Sequence, residues 1–290
     1  MLKNYDIFRN KKYNKLKKRT RKGIPDNLRS NVWQLFADIK KFYKKDLYKE
    51  LNKQKLDENI EYIILKDLDR TYPSCQIFSD KYGGGQRKLY QVLSSFTKYQ
   101  EEIGYVQGMS FISALFLTYM NEESSFFMLN SLMDKYDMKR IYLPGFPDLK
   151  KIFYVLLNLE KKYIPKIYNI LKRDNVLPSF YATEWFVCLF SNDLNFNFVV
   201  RIFDTFLLEG FKVIYRFALT ILKVKEKFFL ESESSEKTIE IIHMSINNIG
   251  IDNFFNIAFG FHLSRKKIKK YEIEYDRNEN DVNNEFISQL

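Results

Sequence analysis

A chain of 290 residues with 46% hydrophobic content can bury one large core or two small ones, and its 27 Phe and 20 Tyr exclude wholesale disorder. The net charge of +11 is concentrated at one end: residues 1–22 hold ten Lys or Arg against the single Asp6. Residues 23–264 hold 31 basic against 29 acidic side chains, and residues 265–290 balance six against six. Two cysteines, Cys75 and Cys188, cannot build a disulfide framework or a zinc cluster, and the longest apolar run, Met109 to Met120, is too short to span a bilayer.

The N-terminal segment is polar and lysine-rich with no apolar centre, so it does not read as a secretory signal. It reads first as a solvated basic arm over residues 1–21. Its next reading is a contact with anionic membrane lipid, worth about 1 kcal/mol per charge near such a surface. Nucleic acid is not expected, because no basic stripe with interleaved aromatics continues into the body. After the break at Gly23-Ile24-Pro25 the body is dominated by helical periodicity. An apolar run beginning at Ile64 ends in Asp67, Arg70 and Pro73. The run Gly83-Gly84-Gly85-Gln86-Arg87-Lys88 lacks the spacing of a phosphate loop and follows no strand, so a flexible loop before a helix is expected. Leu89, Val92, Leu93, Phe96 and Tyr99 then share one helix face.

Gly104-Tyr105-Val106-Gln107-Gly108-Met109 puts a Gln at the mouth of the apolar segment that follows. Leu149, Ile152, Phe153, Leu156 and Leu157 form another face, with Asp148 as the N-cap. Val199 to Leu207 form a wide apolar face that should stop at Gly210. Val213 to Phe229 reads as one long helix, and Ile239 to Ile249 as another ending at Gly250. His243 and His262, the only histidines, have no Cys or carboxylate at ligand spacing and suggest neither a metal site nor a triad. The pattern fades after Ser264 into a charged helix or tail. These features predict an all-α chain with a basic arm over 1–21, one multi-helix domain over 22–264 and a charged segment over 265–290.

An Asp and an Arg three residues apart on a helix usually form an ordinary salt bridge, and one Gln at a helix start is unremarkable. Together they have a second reading. An Arg and a Gln at the ends of rigid elements can be lent to another protein's phosphoryl-transfer site. There the Arg neutralises developing phosphate charge and the Gln orients the attacking water.

Five segments, in order, resemble the TBC domain family, the GTPase-activating proteins of Rab GTPases. Gly23-Ile24-Pro25-Asp26-Asn27-Leu28-Arg29 with Val32-Trp33 resembles the family's opening. Ile64-x-x-Asp67-x-x-Arg70-Thr71-x-Pro73 is similar to its arginine-finger motif, and Tyr105-Val106-Gln107 to its glutamine-finger motif. Pro178 through Trp185 to Phe190, and Arg201-Ile202-Phe203-Asp204 with Glu209-Gly210, stand where the family keeps a structural Trp and an Arg–Asp segment. Tyr72 stands where Phe is commoner and Phe203 where Trp is commoner, both conservative aromatic changes.

The resemblance implies that Arg70 and Gln107 are the catalytic pair, inserted in trans beside GTP. Asp67 would hold the Arg70 guanidinium through a carboxylate fork. Tyr105 supports them by packing, as does Trp33, while Arg29 and Arg201 are expected in buried salt bridges, with Asp204 one candidate partner. The implied partner is a GTP-bound Rab, with GTP and Mg²⁺ belonging to that partner, so no cofactor of the chain's own is expected. The implied setting is vesicle trafficking in the cytoplasm, with transient visits to organelle or vesicle membranes. A silent Rab-binding adaptor or effector is the alternative within the family. Outside it, the alternative is a helical scaffold held to acidic surfaces by the arm.

Overall fold

A computed structural model describes residues 5–80, 84–246 and 248–279. The described residues form eighteen α-helices and no β-strand, as the periodicity predicts, and no helix among them is long and apolar enough to cross a membrane. Gly83 and the end of the charged segment beyond residue 279 lie outside the described residues.

The helices enclose one hydrophobic core. At its centre the apolar Met109–Tyr119 helix lies between the Asp26–Phe36 and Glu122–Asp134 helices. Trp33, Phe116 and Phe203 meet here with ring centroids 5.8–6.1 Å apart, in the tilted and edge-on geometry that aromatic quadrupoles favour. The indole N–H of Trp33 would be orphaned in such a place, and it donates to Asp204 Oδ1 at 2.7 Å. The same carboxylate accepts from Arg29 Nε (3.0 Å) and the Ile24 backbone N–H (2.8 Å). The opening motif is thereby pinned to the Phe196–Glu209 helix.

Arg201, by contrast, does not pair with Asp204. Its guanidinium stacks on Phe255 at 4.4 Å and bonds to Asp252 and the Arg21 carbonyl. Trp185 is buried as expected, against Tyr181 and Phe190.

The basic arm is not a solvated extension over its second half. The Tyr13–Arg21 helix buries Leu16 and Thr20, one turn apart, against the Phe196–Glu209 helix. Arg21 donates to the buried Glu209 carboxylate at 2.6 and 2.9 Å, and Lys17 lies 3.5 Å from it. The charged segment likewise forms the Arg265–Glu279 helix and packs on the Leu149–Tyr163 helix. Tyr275, 1% exposed, stacks edge-on against Tyr154 there.

Other local readings shift. The Val213–Phe229 stretch is two helices, Lys212–Lys223 and Glu226–Leu230, because the chain turns where the buried Lys225 Nζ reaches the Ile242 carbonyl at 2.6 Å. The Ile239–Ile249 helix is Ser235–His243, started by Ser234 as N-cap, and Gly250 begins the next helix instead of ending this one. Gly210 stops its helix as expected, at φ +81°. Asp148 stands at the N-cap position but does not cap, since its carboxylate accepts from Arg140 Nε at 2.8 Å. Gly84 and Gly85 already belong to the Gly84–Tyr99 helix, so these two glycines start the helix instead of preceding it as a flexible loop.

Candidate functional site

The Glu58–Arg70 helix starts at Asp57, whose side chain caps the N–H groups of Asn59 and Ile60, and it persists far enough to include both Asp67 and Arg70. One helical turn separates them, so the carboxylate and the guanidinium fall on one face. Asp67 is buried and Arg70 is about half exposed, and the two form an ion pair through Nη2 and Oδ1. The second Asp67 oxygen accepts from the Tyr105 hydroxyl and, at 3.1 Å, from the Gly108 backbone N–H. One buried carboxylate therefore braces both finger segments. Its donors satisfy a charge that burial would otherwise penalise. Burial, and then the hydrogen bond to Asp67, push the Tyr105 phenol well above its ordinary value, so it stays a proton donor.

Gln107 lies on the same exposed surface. With its carboxamide oriented by the donors it faces, the oxygen accepts from Arg70 Nη2 at 2.6 Å and Nη1 at 3.1 Å. The two expected catalytic side chains thus meet in space although 37 positions separate their numbers. The loop that carries Gln107 turns through Gly104 at φ +67° and Gly108 at φ +95°. At Gly108 only glycine fits twice over: the left-handed backbone disfavours a Cβ, and one added there would lie 2.4 Å from Cys188 Sγ. Burial raises the Cys188 thiol far above its usual range, so it acts as an inert floor under the loop.

Three contributions escaped the sequence reading. The Gly108 N–H donor was hidden because a backbone group has no residue-type signature. Thr71 Oγ1 sits 2.6 Å from the Asp67 carbonyl and 2.7 Å from Ser110 Oγ, tying the two finger segments together below the surface. Tyr105, taken as packing alone, also donates a hydrogen bond. For Thr71 the signal was present, since it follows Arg70 directly. Arg29, Trp33, Trp185, Arg201 and Asp204 lie in the frame and not beside the fingers.

The fingers border a groove of about 470 Å³ whose walls include Ile63, Phe111, Phe146, Glu184 and Asn192. Among the described residues no cluster of three or more His, Cys, Asp or Glu could hold a metal ion. A pre-positioned, solvent-accessible guanidinium and carboxamide can stabilise and orient a phosphoryl group that another molecule brings.

Comparison with known proteins adds a second line. The profile of the Rab-GTPase-TBC domain matches residues 26–230. Human TBC1 domain family member 1 is 33% identical over 265 residues, covering 87% of this chain and 22% of that protein. The Drosophila melanogaster Ecotropic viral integration site 5 ortholog is 32% identical over 257 residues, covering 88% of the chain and 32% of its own length. This chain thus spans a fifth to a third of those relatives. A Chlamydomonas flagellar RabGAP TBC domain superposes with a TM-score of 0.73 at 26% identity, covering 85% of this chain and 83% of that one. The Ypt/Rab-GAP domain of Gyp1p, at 18% identity and a TM-score of 0.68, covers 90% and 93% and shares the fold.

Proposed function

This chain belongs to the Rab-GTPase-TBC domain family, and on that premise we propose that it accelerates GTP hydrolysis by a Rab-family GTPase. One observation carries the reading: Arg70 and Gln107 converge on a single exposed spot while Asp67 holds the guanidinium from beneath. Docking exchanges the Arg70–Gln107 bond for contacts to the partner. Arg70, still anchored by Asp67, spreads its charge over the β- and γ-phosphate oxygens, and the released Gln107 carboxamide orients the attacking water. Arginine suits that place because its planar fork presents donors to the carboxylate on one edge and to a phosphate on another in a fixed geometry, which the three donors of a lysine ammonium, all on one atom, do not reproduce. GTP and Mg²⁺ come with the partner, so the chain supplies two side chains and no cofactor.

The test is single-turnover phosphate release from a panel of GTP-loaded Rabs, using the intact chain, Arg70→Ala and Gln107→Ala. Acceleration of one or two Rabs, lost in both variants, supports the proposal and names the substrate. Tight binding without acceleration supports the adaptor alternative. Neither binding nor hydrolysis refutes both.

The same reading places the protein in the cytoplasm, with vesicle-trafficking membranes visited through the partner. A peripheral contact of its own is supported by the basic lining of a separate cavity of about 630 Å³. Arg9, Lys135, Lys212, Arg265, Lys266 and Lys269 face it beside Asp137 and Glu272, so its cationic surplus is drawn from the arm, the body and the charged segment. Co-sedimentation with phosphatidylserine vesicles but not phosphatidylcholine vesicles, weakened by Lys266→Glu with Lys269→Glu, is the expected result.

A further inference from the structure

The turn from Leu143 to Leu149 holds a backbone conflict that packing does not explain. Phe146 has φ +49°, in the left-handed region where a Cβ crowds the next carbonyl. It also precedes Pro147, whose ring confines the residue before it to extended conformations. The turn is fixed from several sides. The Phe146 N–H donates to the Leu143 carbonyl (2.8 Å), the Leu149 N–H donates to the Phe146 carbonyl (2.9 Å), and Arg140 clamps Asp148. Gly145 beside it, at φ +78°, shows that the chain uses glycine at a left-handed position in this same turn.

This strain does not serve the core. The rings of Phe126, Phe186 and Phe203 are fully buried, whereas Phe146 remains 40% exposed and opens into the finger groove. Ile63, 47% exposed, lines the same groove from the helix that ends in Arg70. Seven residues separate Ile63 from Arg70, roughly 10 Å along that helix at 1.5 Å per residue and on the same face. Arg70, Ile63 and Phe146 line one groove, so a surface that receives Arg70 and fills that groove meets both apolar side chains. Residues held in disfavoured backbone cluster at binding and switch sites, and whereas Leu189 and Phe190 carry positive φ inside the core, Phe146 carries it at an exposed groove. Exposed apolar side chains beside a few oriented polar groups are what a recognition groove presents.

We propose that Phe146 is a specificity-determining residue for the GTPase substrate. Its ring, held outward by the strained turn, anchors on an apolar patch of the GTPase next to its nucleotide site, together with Ile63. This rests on the reading of the chain as an activator of Rab-family GTPases. Phe146 does not touch the phosphates, so it contributes binding that is equal in ground and transition state.

The test is hydrolysis by the best GTP-loaded Rab of the panel over a range of concentrations, with Phe146→Gly, Phe146→Asn and Phe146→Leu. Glycine and asparagine both tolerate the left-handed backbone, so the turn is kept and the ring is lost. KM is expected to rise roughly 10- to 30-fold in both, as for loss of an apolar interface anchor, with kcat unchanged. Phe146→Leu should recover most of the loss, and the order of preference among the panel's GTPases should change in the glycine variant. Unchanged KM and unchanged order overturn the proposal, and so does a loss confined to kcat. If the parent chain is active and loses activity in Arg70→Ala, a null result at Phe146 refutes this inference alone. An inactive parent chain overturns the activator reading, and this proposal with it.

Discussion

Replacing Gly108 with alanine probes how tightly the glutamine finger is placed. At φ +95° a Cβ costs about 1–2 kcal/mol in backbone strain. The added atom would also stand 2.4 Å from Cys188 Sγ, whereas ordinary contact begins near 3.4 Å, so the loop must move by roughly 1 Å. Misplacing a catalytic group by that distance lowers a rate by about 10²-fold. Gly108→Ala should therefore melt several degrees lower and lose about two orders of magnitude in single-turnover hydrolysis. The same position is 4.0 Å from Cys188 Cβ, an ordinary contact. Trimming the thiol should thus remove the clash and leave the strain. Gly108→Ala with Cys188→Ala is expected to regain most of the rate while remaining less stable than the parent. A single variant with full activity, or a double variant no faster than the single one, would refute this account of the loop.

Arg70→Lys should fail nearly as badly as Arg70→Ala in phosphate release, a loss of roughly 10³–10⁵-fold, because donors that all sit on one ammonium nitrogen do not reproduce the planar fork held between Asp67 and a phosphate; near-normal hydrolysis by the lysine variant would sink the fork argument. Asp204→Asn leaves the buried Arg29 short of its main counter-charge, so urea unfolding should show a loss of about 3 kcal/mol with an unchanged m value. Glu160 is fully buried, its carboxylate accepts a hydrogen bond from Tyr181 (2.6 Å), and burial pushes its pKa up to about 8 from 4.5. A raised folded-state pKa means that its contribution is intact below pH 4.5 and is lost as pH rises to about 8. Glu160→Gln should therefore melt higher than the parent at pH 8, where the penalty removed is on the order of 3 kcal/mol or more, with a much smaller gap at pH 5. Equal melting temperatures at both pH values would show that Glu160 does not titrate in this range.

The sequence by itself determined whatever is encoded within a few neighbouring residues. A 3.6-residue apolar period made Leu89 to Tyr99 and Val199 to Leu207 helical whatever they pack against, and Gly210 ended its helix because only the local backbone matters there. The Asp67–Arg70 pair was legible for the same reason, since one turn of helix fixes its distance. Periodicity names a buried face but not its partner. Only the tertiary structure decided that Asp204 serves Ile24, Arg29 and Trp33 instead of its helix neighbour Arg201. Only it could dock a basic segment onto Glu209, because a run of lysines reads as solvated until a buried carboxylate 188 residues away neutralises it. Likewise the run from Val213 to Phe229 kept its helical pattern in sequence, yet the bond from Lys225 to Ile242 turned the chain within it. The finger pair lies at the border of the two regimes. Residue types announced Arg70 and Gln107, but the fold brought them together, by converging the buried Asp67, the Tyr105 hydroxyl and a backbone N–H at a point that no spacing along the chain encodes.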